Sequence, residues 1–358
     1  MRIVSVVGAR PQFVKLAPVA AAMDGRADHV TVHTGQHYDD RMSDAFFREL
    51  RIPTPALNLE VGSGRHGEQT GAMLAALERA YDDLQPDVVL VYGDTNSTLA
   101  AAVAAVKMHI PLTHLEAGLR SFNRRMPEEH NRVLTDHASD LLLAPSEPAM
   151  RHLATEGLAE RSRLVGDVMT DVLYRTRDEV AGSLQPLPAG VIPGDYYVAT
   201  IHRPDNTDDG IRLEGIITAL AGLDSPVILP AHPRLRASAD RHGVVLERGS
   251  IRLVEPLSYH DLVRTVMGAK GVVTDSGGLQ KESFLLRVPC TTIRPESEWE
   301  ETVALGWNVL ENEDFAQLAA TATRPRPQDT DAQPYGDGHA AHRVVDEILS
   351  RFDSGSTV

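Results

Sequence analysis

The sequence predicts an α/β protein of two Rossmann-like lobes, and three observations carry that reading. The chain has 358 residues, more than one hydrophobic core usually supports, so two domains of roughly 150 to 180 residues each are expected. Short β-branched runs repeatedly lead into turn residues and then helical patterns, the signature of βαβ units in parallel sheets. The alternation occurs twice, first through "RIVSVV", "VTVHTG", "VVLVYGD", "LTHLEAG" and "LLLAPSE", then through "YYVATIH", "PVILPAHP", "IRLVEP", "GVVTDSGG" and "PCTTIR". Two such series imply two lobes with a cleft between them.

The remaining segments punctuate these series. "SLQPLPAGVIPGD", residues 183 to 195, is rich in proline and glycine and has no helical period, so the inter-lobe linker is placed there or slightly before, with the second lobe starting near Tyr196. A second proline-rich loop, "RPRPQDTDAQPYGDG", precedes the helical pattern "HAAHRVVDEILSRF", and "DSGSTV" reads as a frayed tail.

Composition narrows the function classes. With 42% hydrophobic and 24% charged residues the chain reads as soluble and globular. Fifty acidic against 35 basic residues give a net charge of −15, which argues against non-specific attraction to nucleic acid or anionic membranes, so any phosphate has to be gripped locally. The single cysteine, Cys290, excludes an internal disulfide and a cysteine-based metal cage; it reads as a small buried hydrophobe in a reducing compartment. "MRIVSVVGARPQF" has too short an apolar run for a signal peptide, and "LAAAVAAV" at 99 to 106 falls far below membrane-spanning length. A cytoplasmic protein is expected.

In doubly wound sheets ligands sit beyond the carboxyl ends of the strands, and the polar clusters of this sequence fall there. "VVGARPQFVKLAP" puts Gly8 at a strand end and Pro11 at a helix start, with Arg10 and Lys15 available to an anion. "VYGDTNSTLAAAVAA" puts Asp94 directly after a buried strand and before Thr95, Asn96, Ser97 and an alanine-rich helix; a plain capping role is the alternative for Asp94. In "HLEAGLRSFNRRMPEEHNRVLTDHASD", Glu116 ends a strand, and Arg120, Arg124 and Arg125 precede Glu128 and Glu129, one of which is expected to cap its helix.

In the second series, "ATIHRPDN" places His202 and Arg203 at a strand tip, and "LPAHPRL" places His232 equivalently. A neutral histidine held by its backbone is the plain alternative for both. Fifteen histidines raise the question of zinc. No HExxH or paired His/Cys spacing occurs, and His130 with His137 lacks a third ligand, so no metal is expected. "VVTDSGGLQKESF" reads as a strand, a Ser-Gly-Gly turn and a helix. Ser276, Gly277 and Gly278 let amide N–H groups approach an anion at a helix N-terminus, and Glu282 one turn later stands where it could accept from ribose hydroxyls. A nucleoside diphosphate fits that pattern. The G-x-G-x-x-G of Gly62, Gly64 and Gly67 follows a short strand-like "ALNLEV" after two prolines rather than the first strand, so it reads as a loop near the substrate and not as a nicotinamide site.

"GARPQFVKLAP", "GDTNSTLAAAVAA", "HLEAGLR", "PEEHNR", "IHRPDN", "TDSGGLQ" and "PYGDG" occur in that order, and through them the chain closely resembles the non-hydrolysing UDP-N-acetylglucosamine 2-epimerase family over nearly its whole length. The resemblance implies the glycosyltransferase type B fold with the active site in the inter-domain cleft. Its first lobe is expected over 1–170, joined by the C-terminal helix 339–352, and its nucleotide-binding lobe over 171–338. It implies catalytic roles for Asp94, Glu116, Glu128 and His202, and substrate contacts from Arg10, Lys15, Ser276, Gly277, Gly278 and Glu282. Arg203, beside His202, joins the binding set. The partner is a UDP-sugar; no metal, nicotinamide or other cofactor is implied, and a homodimer is the default assembly.

The chemistry that the family implies explains these residue types. A C2 hydrogen beside an acetamido group has no adjacent carbonyl to acidify it. Departure of UDP from C1 builds oxocarbenium character that makes this proton labile to a carboxylate, leaving a 2-acetamidoglucal; re-addition with protonation from the other face inverts C2. Asp94 or Glu116 is the expected base, Glu128 the opposite-face acid and His202 the group assisting the leaving phosphate.

The chain departs from the common family pattern in three places. Lys281 stands where glutamate is frequent, "RPESEWEETVALGWN" with Trp299, Glu300 and Glu301 stands where "TERPE" is common, and "TGQHYDDRMSDAFF" around Gln36 and His37 differs in length from the version linked to activation by a second substrate molecule. The tryptophan variant resembles the branch acting on UDP-2,3-diacetamido hexuronic acids, so a modified UDP-sugar stays open; core packing is the plain reading of Trp299. A hydrolysing epimerase releasing ManNAc and UDP, a type B glycosyltransferase and a non-catalytic sugar-nucleotide sensor are the rivals.

Overall fold

A computed structural model describes residues 1–36, 51–52, 54–313 and 315–352. His37 and most of the "TGQHYDDRMSDAFF" segment, together with the tail from residue 353, lie outside the described residues. The chain divides into two units, Met1–Val172 with Gln333–Val358, and Leu173–Ala332.

The first unit holds seven strands: β1 (Arg2–Val7), β2 (Asp28–His33), β3 (Leu57–Asn58), β4 (Val88–Tyr92), β5 (Leu112–Leu115), β6 (Leu141–Ala144) and β7 (Ser162–Leu164). They form one parallel sheet in the order β3-β2-β1-β4-β5-β6-β7. β1 and β4 are flanked by strands on both sides, so both read as near-continuous runs of Val, Ile and Leu with almost every residue buried. The small side chains of helix Asn96–Lys107 let it lie close on the sheet, where Ala100, Ala101, Ala104 and Ala105 pack with Val4, Val6, Val89, Val91 and Met73. Thr95 caps that helix, accepting from the Thr98 amide at 3.4 Å.

Helix Ala340–Phe352 belongs to this unit. Its first amides, Ala340 and Ala341, donate to the Asp171 carboxylate at 3.0 and 2.7 Å, and Asp346 pairs with Arg26 at 2.7 Å. Burial of Asp171 raises its pKa despite those two amides.

The second unit repeats the design with β8 (Tyr197–Thr200), β9 (Val227–Pro230), β10 (Ile251–Val254), β11 (Gly271–Thr274), β12 (Cys290–Thr292) and β13 (Asn308–Leu310). Its six-stranded parallel sheet runs β10-β9-β8-β11-β12-β13. One face packs Leu213, Ile216, Ile217 and Leu220 of helix Gly210–Ala221 against Val227, Leu229 and Val273. Cys290 is buried on the other face with Val198, Ile228 and Val272, and burial pushes its thiol up to about 11.

The boundary falls inside helix Val168–Val180, between Val172 and Leu173, and the chain re-enters the first unit at Gln333. Hydrogen bonds explain this placement. Thr170 and the Asp167 amide meet the Tyr335 carbonyl, whereas Glu179 pairs with His260 at 3.0 Å. The proline-glycine stretch 183–195 lies within the second unit, since Arg264 donates to the Gln185 carbonyl at 2.7 Å and the Gly194 amide to that of Gly268 at 2.7 Å.

Both strand orders reverse direction at one place, between β1 and β4 and between β8 and β11. These switch points are where doubly wound sheets present ligand sites. Among the described residues no helix is long and apolar enough to cross a membrane.

Candidate active site

At the first switch point β1 ends at Gly8, where a Cβ would collide with the Ser97 and Thr34 hydroxyls. Gln12 then closes the turn: its Oε1 accepts from the Gly8 and Ala9 amides at 2.8 and 3.0 Å, and its Nε2 donates to the Tyr92 carbonyl at 2.8 Å and to Thr98 at 3.0 Å. Arg10 opens helix Arg10–Met23 and is exposed. One turn on, Lys15 forms an ion pair with Glu116; the two side chains are 14% and 15% exposed. Burial opposes the Lys15 charge, but Glu116 beside it and Asp94 and Asp167 farther off outweigh burial and raise its pKa.

Asp94 follows β4 through Gly93, which has φ +61° and would bring a Cβ to 3.0 Å from Glu116 Oε2. Asp94 is paired with Arg132, and Asn131 donates to its carbonyl at 2.9 Å. Glu116 follows β5 with φ +73°, a left-handed conformation costly for a non-glycine residue. Its amide and that of Ala117 both donate to the Leu143 carbonyl, which holds the turn. Asp94, Glu116 and Lys15 are thus gathered at one switch point, each carboxylate facing a cation.

The Glu128–Glu129 pair divides its work. Glu129 is buried and accepts from the Ser121 amide and hydroxyl and the Phe122 amide, each at 2.9 Å, and from Arg132 at 3.1 Å. Burial pushes its carboxyl up, and these donors more than reverse that, leaving its pKa lowered. It clamps the loop ahead of helix Pro127–Ala138. Glu128, exposed in the first turn of the same helix, lines a cavity of about 360 Å³ with Gln36, Ser63, Gly64, His66, Gln69, Thr95, Asn96 and Asn131. The G-x-G-x-x-G segment therefore serves as cavity wall. Its "strand" is only Leu57–Asn58 on the sheet edge, and its Gly62 amide is taken by the Gly35 carbonyl at 3.0 Å.

At the second switch point His202 follows β8 and Asp275 follows β11. The fully buried Asp275 carboxylate accepts from the His202 and Arg203 amides at 3.0 and 2.9 Å and from Asn206 at 3.1 Å, and lies 3.1 Å from His202 Nδ1. Burial would raise the Asp275 pKa; His202 and the N–H donors lower it. With Nδ1 so held, the imidazole, 37% exposed, has Nε2 for other work. His232 stacks obliquely at 5.3 Å from the His202 ring, and its Nδ1 accepts from the Arg234 amide, the backbone role expected of it.

Ser276 caps helix Gly277–Leu285, accepting from the Leu279 amide at 3.4 Å. Among the described residues no protein acceptor meets the Gly277 and Gly278 amides, and a Cβ on Gly278 would touch nothing within 4 Å. Arg203 Nη2 lies 3.8 Å from the Cβ position of Gly277, and Arg294 Nη1 and Glu298 Oε2, paired with each other, lie 3.9 Å from it. The helix N-terminus thus presents open amides of the kind that suit an anion, with Arg203 beside them. Glu282, on the same helix, accepts from the Tyr259 hydroxyl at 2.9 Å. Trp299 buttresses the turn by donating to the Gly277 carbonyl at 2.7 Å, and the buried Lys281 lies 4.1 Å over its ring. Two of the three places of departure from the family pattern, at 281 and 299, thus touch each other.

Several residues of these sites escape a reading of the sequence alone. Asp275 is adjacent to the Ser-Gly-Gly turn but reads as one more turn residue; Arg132 and Asn131 read as ordinary helix positions. His114 and Asp136, buried beneath the turns of Asp94 and Glu116, belong with them. Among the described residues no group of three or more His, Cys, Asp or Glu side chains could hold a metal ion.

Comparison with known proteins gives the chemistry a name. A family model described as UDP-N-acetylglucosamine 2-epimerase matches residues 20–349. The chain is 42% identical over 355 residues, 98% of its length and 99% of the relative's, to a UDP-N-acetylglucosamine 2-epimerase homolog of Methanococcus maripaludis. It is also 42% identical over 360 residues, 97% of its length and 99% of the relative's, to the UDP-2,3-diacetamido-2,3-dideoxy-D-glucuronate 2-epimerase of Pseudomonas aeruginosa. Among solved structures, the Methanocaldococcus jannaschii UDP-GlcNAc 2-epimerase in complex with UDP-GlcNAc and UDP superposes with a TM-score of 0.85 at 36% identity, covering 98% of this chain and 100% of that one. With two Rossmann-like units carrying acidic residues at one switch point and an open Ser-Gly-Gly turn at the other, the chain belongs to the UDP-N-acetylglucosamine 2-epimerase family.

Proposed function

We propose that this isomerase interconverts UDP-GlcNAc and UDP-ManNAc by eliminating and re-adding UDP, without hydrolysis. The observation that carries the reading is the grouping of Asp94 and Glu116 at one switch point, each against a cation, Arg132 and Lys15. Each offers a carboxylate oxygen that can receive a proton. In the forward direction the C1–O bond breaks with its electron pair leaving on the β-phosphate. Asp94 or Glu116 takes the C2 proton, and the C–H electron pair becomes the C1=C2 bond of a 2-acetamidoglucal. Glu128 then delivers a proton to the opposite face of C2 while a β-phosphate oxygen re-forms the bond to C1. The base is assigned to the pair, Asp94 or Glu116.

The leaving group needs positive charge. Ser276, Gly277 and Gly278 would hold the diphosphate through backbone amides, with Arg203, Arg10 and Lys15 adding charge, His202 Nε2 serving the departing oxygen and Glu282 taking the ribose hydroxyls. The matched family and the ligands named for its Methanocaldococcus jannaschii member support this distribution.

Turnover in D₂O with UDP-GlcNAc should place deuterium at C2 of the product; unlabelled UDP-ManNAc would refute elimination. Free UDP accumulating with turnover would instead mark a hydrolysing enzyme, and dependence on an added acceptor a glycosyltransferase. A second reading, epimerisation of a UDP-2,3-diacetamido hexuronic acid, draws on the 42% identity to the Pseudomonas aeruginosa enzyme and on the Trp299–Lys281 pair. Parallel assays of the two UDP-sugars decide between them. A cytoplasmic homodimer, the commonest closed assembly, completes the proposal and is checked by sedimentation.

A further inference from the structure

His114 lies on β5, two residues before Glu116, and is fully buried. Its Nε2 meets the Gly93 carbonyl at 2.7 Å, and its Nδ1 meets Asp136 Oδ1 at 2.6 Å. Asp136 Oδ2 accepts from the Gly118 amide at 3.1 Å and pairs with Arg120 at 2.7 Å. Arg120, also buried, forks onto both oxygens of Glu156 at 2.8 and 2.7 Å.

Both neighbours of the imidazole are acceptors. A backbone carbonyl cannot donate, so Nε2 carries a proton toward Gly93. Burial opposes the charge of Asp136, yet His114 and Arg120 outweigh it and keep the carboxyl ionised, so Nδ1 donates as well. The line His114–Asp136–Arg120–Glu156 thus satisfies its buried polar groups with one another, the condition under which buried charges are tolerable.

The place of this line is informative. Gly93 is the residue before Asp94, and Gly118 is two beyond Glu116. One histidine–aspartate pair therefore fastens, from below, both turns that carry the proposed catalytic carboxylates. Both turns have left-handed backbone, with φ of +61° at Gly93, +82° at Gly118 and +73° at Glu116, and the pair adds to the Leu143 and Leu115 carbonyls that also hold them.

Resting on the epimerase reading, we propose that His114 and Asp136 are positioning residues that fix Asp94 and Glu116 relative to each other through the Gly93 carbonyl and the Gly118 amide. They touch no substrate. Their effect is on the rate of proton transfer, which falls steeply when a catalytic group is displaced by about 1 Å.

The test is a kinetic cycle of Asp136→Asn, His114→Gln and the double variant, with Glu156→Gln as the control at the outer end of the line. Wild-type turnover is measured first; its absence would defeat the epimerase reading and leave the positioning claim a separate question of UDP binding and stability. Given turnover, Asp136→Asn and His114→Gln should each lower kcat by about 10- to 100-fold, as loss of a supporting hydrogen-bond partner does. UDP affinity should stay within about twofold, and the double variant should be no worse than the poorer single one, because the pair acts as a unit. Glu156→Gln should lower the melting temperature while kcat stays within about twofold. A folded Asp136→Asn or His114→Gln enzyme with unchanged kcat overturns the proposal. So does a fall in kcat for Glu156→Gln equal to that for Asp136→Asn at matched loss of melting temperature, since that would mark a purely structural network. Should one single variant fail to fold, the other decides.

Discussion

Replacement of Asp275 by asparagine is the most exacting probe of the second switch point. The carboxylate holds four donors: its Oδ2 takes the His202 and Arg203 amides and Asn206, and its Oδ1 faces His202 Nδ1. An asparagine can keep the three Oδ2 bonds by placing its NH₂ group on the Oδ1 side. It then points a donor at His202 Nδ1. The imidazole then keeps its place only as the tautomer with the proton on Nε2 and Nδ1 accepting from the new NH₂ group. A hydrogen bond to a charged group contributes about 1.5–3 kcal/mol and a neutral one about 1 kcal/mol, so four weakened bonds predict a fall of roughly 5–10 °C in the melting temperature. Loss of tautomer control should lower kcat by about 10²–10⁴-fold, while UDP affinity, which rests on the Ser276–Gly278 turn, changes little.

The pH dependence follows from the same site. The folded pKa of Asp275 lies below its unfolded value near about 3.9, so its contribution is present in full above that value and is lost as pH falls through the folded one. Asp275→Asn should therefore flatten the acid limb of the stability curve. The assays are C2 epimer formation followed by NMR and thermal unfolding between pH 3 and 7. A folded variant with wild-type kcat would refute the claim that Asp275 orients His202 for the reaction.

Two further outcomes complete the set. Glu282→Ala should weaken UDP binding at least about tenfold by calorimetry and lower the melting temperature only slightly, by the one hydrogen bond from Tyr259 that it removes; unaltered affinity would remove the ribose assignment. Trp299→Phe deletes the bond to the Gly277 carbonyl but keeps the face over Lys281, so UDP affinity should drop by about 2- to 10-fold, and an unchanged value would reduce Trp299 to packing.

The architecture was legible wherever a strand is long and central. β1, β4 and β8 are apolar runs because both their faces are covered, and each was readable from four to six residues. β7 and β13 were not, since three residues are too few to show a period, and β3 is only two residues of the strand-like "ALNLEV"; such strands exist because a neighbouring strand offers them a ladder, as Val32 does for Leu57. The same division holds in the site. Strand-end acids and the Ser-Gly-Gly turn advertise themselves locally, so Asp94, Glu116, His202 and Ser276 could be named in advance. Partners supplied by folding could not: Arg132 reaches Asp94 over 38 positions, and Asp275 reaches His202 over 73. Nor does sequence say which of Glu128 and Glu129 turns inward, because adjacent residues on a helix differ by about 100°.

Gln12 gives the two units different electrostatic characters. Its amide oxygen occupies the Gly8 and Ala9 amides just ahead of helix Arg10–Met23 and withholds those two from a phosphate oxygen, whereas the Gly277 and Gly278 amides have no acceptor among the described residues. In the proposed reaction an anion at the first unit would be drawn chiefly by side chains such as Arg10, and at the second by backbone amides whose direction the helix fixes. The second sheet is then the one suited to keep hold of a departing group.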